Sequence, residues 1–534
     1  SPQALDEILH NESLTLADLD RIAQGANPVS GTLSLIFESS VSPSDLALAF
    51  LANTDVDNAL IAKSAQGELA TLLVENFGLP EPRSQALSDL RTQFTRHVLL
   101  TDFRASLPGD IAYEILATVP FPRVRWQTEA CQRLAARWRD SATHRAAYKA
   151  AACQVEHDYG IHALDLAWDA WQRVQTFSVV ETLLLENAER LILSGAYAEA
   201  LALVEQRRSS FWNANEREND LRWSLIHAAA SLLADCPKIQ EGLDKRPWSA
   251  SEMIIAYAQG TYEAIRPWCL LDTFHRHMER LYTSLAPTPT LNHVVAKARQ
   301  AYTTVMQQVA EHFGNALTKA QFQIPEVAQQ TNIFREQVAP RLQHGKVAYI
   351  VMDALRFEMA RELLNDLTEA SQKILIPALA AVPTLTSVGM AALLPGAERG
   401  LGLIEVSGQL ATDINGHLLK MRGDRVEYLT QRGGYETEVF TLAEALKLGR
   451  IVKEQINRAQ LVVVTSQEID HVAEQQAPYL ARGAMDELLS HVKRALHNLA
   501  EIGVSTFIIA SDHGFLFGDE LASDILVDPP GGHT

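Results

Sequence analysis

From the N-terminus to about Ala320, apolar residues recur at three- and four-residue spacing with few β-branched runs, a period that predicts an all-α region. After Gly345 the pattern changes. VAYIVM (347–352), KILIPAL (373–379), LVVVTS (461–466) and STFIIAS (505–511) are short apolar runs separated by helical segments, which predicts buried parallel strands with helices over both faces of a sheet. The fold class expected is therefore mixed: an N-terminal all-α helical region followed by an α/β domain.

Within the helical part, AERLILSGAYAEALALVEQRRSSFW (188–212) reads as two amphipathic helices meeting at Ser194-Gly195, one hairpin of tetratricopeptide type. No second copy follows at a fixed period, so an irregular helical region is expected rather than a solenoid. The prolines of SLAPTPTLNH (284–293) disfavour helix and mark a boundary. The resulting division is 1–286 helical, with room for two subdomains, 287–344 a helical linker, and 345–534 the α/β domain.

Composition narrows the class. At 534 residues the chain exceeds one ordinary core, and 47% hydrophobic with 21% charged residues is a folded, globular balance. The formal charge of −19 repels nucleic acid at long range, so a phosphodiester substrate requires metal or a basic partner. Cys131, Cys153, Cys236 and Cys269 are widely spaced with no C-x-x-C pair, which points to reduced thiols and a cytoplasmic protein. The start lacks the pattern of a secretory signal, and the most apolar stretch, 374–396, is broken by Pro377, Pro383 and Pro395, so no membrane association is expected.

Chemistry gathers at the strand ends. Asp353 follows the first run, Asp470 comes shortly after LVVVTS, and Asp512-His513 follows STFIIAS, so three carboxylates and an imidazole are expected at the carboxyl edge of the sheet, where α/β proteins bind ligands. Crowded carboxylates raise one another's pKa unless a cation lies between them, and oxygen with imidazole donors suits Zn²⁺ or Mn²⁺. In VPTLTSVGMAALLPG (382–396), Thr386 and Ser387 fall at a helix N-terminus, and either hydroxyl is a candidate nucleophile, Thr386 being preferred. Each aspartate alone is as well explained as a turn or cap residue; Asp512-His513 is the pair hardest to attribute to packing. Arg356, about one turn past Asp353, has two readings, a substrate phosphate or a surface carboxylate, and stays outside the site. Trp168 and Trp171 are read as core residues.

The ordered set of strand-Asp, Pro-x-x-Thr, Asp-x-x-x-ligand and Asp-His-Gly resembles the alkaline phosphatase superfamily, and the wording YIVMDALRFEMA, PTLTSVGMAALLPG, SQEID and ASDHGFLF is similar to the PglZ domain of BREX-type phage defence. The resemblance covers roughly 347–517. It implies two divalent metals: Asp353, Asp512 and His513 on one, bridged by Thr386, and Asp470 with its neighbours on the other. Where the superfamily usually has histidine four residues after that aspartate, this chain has Glu474, with His471 beside Asp470. A further superfamily histidine would be His533, close to the chain's end, and the domain reads as truncated there. The implied function is a metal-dependent phosphohydrolase, a phosphodiesterase or nuclease, acting with other BREX components that include a DNA methyltransferase and ATPases. An interaction scaffold with a weak or inactive site is the alternative from another class, and a small-molecule phosphatase or phosphomutase is a third. PTLTS lacks the C/S-x-P-x-R pattern of sulfatases.

Overall fold

Every residue of Val347–Met352 is buried, as a central strand covered on both faces requires. The computed structural model describes residues 32–37, 42–82, 84, 86–109, 119–261, 266–406, 409–475 and 478–516. Four parallel strands form the main sheet: β1 (Val347–Met352), β2 (Thr437–Thr441), β3 (Leu461–Ser466) and β4 (Thr506–Ser511), in the order β2-β3-β1-β4. Side chains alternate across a strand. Ala348, Ile350 and Met352 of β1 therefore enter one apolar core, and Val347, Tyr349 and Val351 enter another on the opposite face. The first core is completed by helices that include α2 (Phe357–Asp366) and α6 (Pro478–Glu501), the second by α3 (Thr386–Ala392) and α4 (Arg422–Arg432).

Three local features add to or depart from the elements read in the sequence. The run at 373–379 pairs only at Ala378–Leu379, with Ala328–Gln329; Pro377 removes a ladder donor, and Ile374 and Ile376 are exposed. The strands Leu401–Val406, Gln409–Ile414 and His417–Leu419 form an antiparallel sheet that the long apolar runs did not announce. The segment around 332–338 is a 3₁₀ turn followed by a π-helix, Phe334–Val338.

The chain divides into two compact units, one of residues 1–191 with 202–223 and one of 192–201 with 224–534. Among its described residues the first unit is helical, and Glu181 lies fully buried within it. Glu181 accepts hydrogen bonds from Arg207, from Ser210 Oγ at 2.6 Å and from Trp223 Nε1 at 2.9 Å, which satisfies a charge that would be costly alone. Trp171 is buried there, while Trp168 is half-buried with Arg190 over its ring. At 194–195, Gly195 (φ +89°) separates the helices Val179–Ser194 and Tyr197–Arg207.

The second unit carries the sheet and the helices before it. Pro287 falls between α1 (Cys269–Thr283) and the helix Pro289–Lys319, which begins on Pro289 and is capped by Thr288. Arg276 of α1 is fully buried and pairs with Glu358 and Glu362 of α2 and with Asp486 of α6, tying α1 to one face of the sheet. No helix among the described residues is long and apolar enough to cross a membrane.

Candidate metal centre and nucleophile

The register of the sheet decides which residues meet. Met352 is opposite Ser511 on β4 and Ser466 on β3, so Asp353 and Asp512 leave adjacent strands at one level. The crossing is fixed by backbone bonds: Asp512 N–H donates to Met352 O at 3.2 Å, and Asp353 N–H to Ser466 O at 2.9 Å. Ala354 then takes φ +58°, a left-handed conformation unusual outside glycine, and from it its N–H donates to Asp512 Oδ1 at 3.0 Å. The same Oδ1 accepts the His513 N–H at 2.7 Å.

One oxygen of each carboxylate is left over. Asp353 Oδ1 and Asp512 Oδ2 are buried with no hydrogen-bond partner among the described residues. Both face His513 Nε2, at 3.7 and 3.3 Å. His513 Nδ1 lies 2.8 Å from Gly514 O, an acceptor only, so the ring proton belongs on Nδ1 and the Nε2 lone pair is directed into the site. Two donors on a tetrahedral ion stand roughly 3.3 Å apart when each is about 2.0–2.2 Å from it. The three groups therefore fit one divalent cation; their ligand atoms lie within 4.8 Å of one another.

Electrostatics favour the same conclusion. Burial, then the charges of Asp512 and Asp470, push the Asp353 carboxyl up to about 7, and burial also raises Asp512. An unoccupied pair of this kind resists ionising, and a cation reverses that preference.

Thr386 is the first residue of α3 and does not cap it; the cap position is Leu385, with no side-chain bond. Its Oγ1 lies 3.2 Å from His513 Nε2, at the edge of the cluster. Ser387 is half-buried and makes no such contact among the described residues. Gly389, one turn into α3, permits this approach because any Cβ there would stand 2.3 Å from Asp512 O.

The remaining expectations fall in different places. Asp470 is half-buried on the helix Glu468–Gln475 (α5 in chain order) and lies close enough for its charge to raise Asp353, though it is not one of the three converging groups. His471 is exposed. The Glu474 side chain and all of His533 lie outside the described residues. Arg356 is buried, 3.5 Å from Asp272 and 3.4 Å from Glu358, so it takes part in the ion network with α1 rather than pairing at the surface.

Two residues near the site had no sequence signal. Arg425 of α4 is partly buried, and burial lowers its pKa against the opposing charges of Asp353, Asp424 and Asp512, so its cation lies within electrostatic reach of the cluster. Its guanidinium has no hydrogen bond or ion pair among the described residues. Gln330 is buried and reaches Asp512 from a turn preceding the sheet.

An α/β sheet with strand-end carboxylates, an imidazole and a helix-borne hydroxyl is the arrangement of an alkaline phosphatase-like domain, and comparison with known proteins agrees. Residues 333–525 match the family model described as "BREX system PglZ alkaline phosphatase-like domain", and this part of the chain is a PglZ domain. A curated relative, "Alkaline phosphatase-like protein BrxZ" of Escherichia coli O9:H4 (strain HS), is 24% identical over 72% of this chain. The chain spans 45% of that relative's length.

Proposed function

We propose that the PglZ domain is a divalent-metal-dependent phosphohydrolase, a phosphodiesterase or nuclease, serving BREX phage defence in the cytoplasm. The observation that carries it is the convergence of the two unpartnered oxygens, Asp353 Oδ1 and Asp512 Oδ2, on His513 Nε2 beside the Thr386 hydroxyl. Asp353, Asp512 and His513 would hold one ion, Zn²⁺ or Mn²⁺, and Asp470 with Glu474, His471 or His533 would supply a second. Such ions polarise a phosphoryl oxygen and neutralise its developing charge.

The chain's own residues do the rest. Thr386 Oγ1 would bond to phosphorus as the bond from phosphorus to the leaving alcohol breaks, the proton lost by the Thr386 hydroxyl ending on the departing oxygen. Water then hydrolyses the phosphothreonyl ester and restores the hydroxyl. Arg425 supplies a fixed positive charge for a non-bridging phosphate oxygen. Residues 345–534 are the catalytic module in this reading, and 1–286 a helical platform for other BREX components, among them a DNA methyltransferase and ATPases. With a net charge of −19, contact with DNA would rely on those partners.

A scaffold with little turnover is favoured by one observation: Asp470 stands outside the three converging groups. Hydrolysis of a phosphodiester reporter with Mn²⁺ or Zn²⁺ separates the two. Turnover that disappears in Thr386→Ala supports the enzyme; metal binding with no turnover by the wild type or by a longer chain supports the scaffold.

A further inference from the structure

Gln330 is 3% exposed and stands outside the stretch matched to the PglZ family, yet all three of its amide hydrogen bonds go to the site. Nε2 donates to Ser511 O at 2.9 Å and to Asp512 O at 2.5 Å, and Oε1 accepts the Ala381 N–H at 2.9 Å. Ser511 ends β4 and Asp512 follows it; Ala381 begins the short, bent segment that delivers Thr386. The residues just before Gln330 reinforce the link, since Ala328 and Gln329 pair in parallel with Ala378 and Leu379.

We infer that Gln330 is a positioning residue that sets the Thr386 segment against the Asp512-His513 pair. Only a primary amide offers two donors at one end and an acceptor at the other. The Asp512 carbonyl is confined from a second direction by α3, whose Gly389 leaves no room for a Cβ beside it. Between these two restraints the Thr386 hydroxyl is held 3.2 Å from His513 Nε2, and displacement by about 1 Å is enough to cost roughly 100-fold in a reaction that depends on alignment.

The inference rests on the proposed phosphohydrolase reading where it concerns turnover, so its test has a second readout. The experiment compares wild type, Gln330→Leu and Gln330→Glu for Mn²⁺-dependent hydrolysis of a phosphodiester reporter and for amide hydrogen exchange over residues 378–386. Leucine removes all three bonds. Glutamate keeps the acceptor and, when burial protonates it, one donor. The expected result is a kcat about 10- to 100-fold lower for Gln330→Leu with KM within about 3-fold, a smaller loss for Gln330→Glu, and exchange of the 378–386 amides at least about 10-fold faster in Gln330→Leu. A folded Gln330→Leu protein with wild-type kcat, or with unchanged exchange, would overturn it. Should Gln330→Leu fail to fold, Gln330→Glu carries the same comparison. If the wild type turns over nothing, the phosphohydrolase reading fails by itself; faster exchange in the variants then still supports the positioning role, and unchanged exchange rejects it.

Discussion

Gly389 and Asp512 approach so closely that a Cβ on the glycine would stand 2.3 Å from the aspartate's carbonyl oxygen and 2.8 Å from its carbonyl carbon. Both opposing atoms are backbone and cannot rotate away. Gly389→Ala must therefore separate α3 from the end of β4. The expected cost is about 1–3 kcal/mol of stability, the range for forced overpacking, measured by urea unfolding of the metal-free protein. Turnover should fall more than stability implies, because the separation moves Thr386 away from His513.

The raised Asp353 pKa makes a signed pH prediction for the metal-free protein. In the unfolded chain this carboxyl titrates near 3.8, and in the folded chain at about 7. Between those values the folded state keeps a proton that the unfolded state has lost, so this group's contribution to stability is full below about pH 3.8 and is lost as pH rises to about 7. Unfolding in chelator at pH 5 and pH 8 should show a decline that is shallower in Asp353→Asn. Metal affinity has the opposite trend, rising up to about pH 7 as proton competition ends. Equal pH slopes for the wild type and Asp353→Asn would contradict this assignment.

Arg425 feels the charges of Asp353 and Asp512 as well as that of its neighbour Asp424, and it is not one of the groups that converge on the cation site, so its removal should affect substrate before metal. Arg425→Ala is expected to lower kcat/KM by about 10- to 100-fold, the loss of one or two charge-assisted hydrogen bonds. Mn²⁺ affinity should be equal or slightly higher, because a repelling cation is gone. Titration calorimetry and steady-state kinetics on the same preparations check both halves.

The strand runs and the candidate ligands directly after them were legible in the sequence because buried parallel strands are continuous and apolar, and each candidate follows its own run within one or two residues. Asp353, Asp512 and His513 could be placed on one edge from that alone. Gln330 and Arg425 could not, since Gln330 meets Asp512 across 182 residues of chain and an amphipathic helix does not reveal which polar residue faces a cleft. The run at 373–379 has the apolar character of a strand but not its donors, because Pro377 lacks an N–H and only Ala378–Leu379 pairs. The antiparallel hairpin had a signal of its own: Asn415 and Gly416 both take positive φ, 52° and 84°, as an Asn-Gly turn of type I′ demands. That dipeptide carries more information than the weakly alternating strands on either side of it.

Titration of metal-free protein with Mn²⁺ or Zn²⁺, wild type against Asp512→Ala, tests most directly whether Asp353, Asp512 and His513 form a cation site. Saturable binding of at least one ion by the wild type is expected, weakened by more than about 100-fold in Asp512→Ala, since losing a ligand exceeds the 10- to 100-fold effect of losing a ligand's support. Absence of saturable binding by the wild type, or equal affinity in the two proteins, would contradict the site.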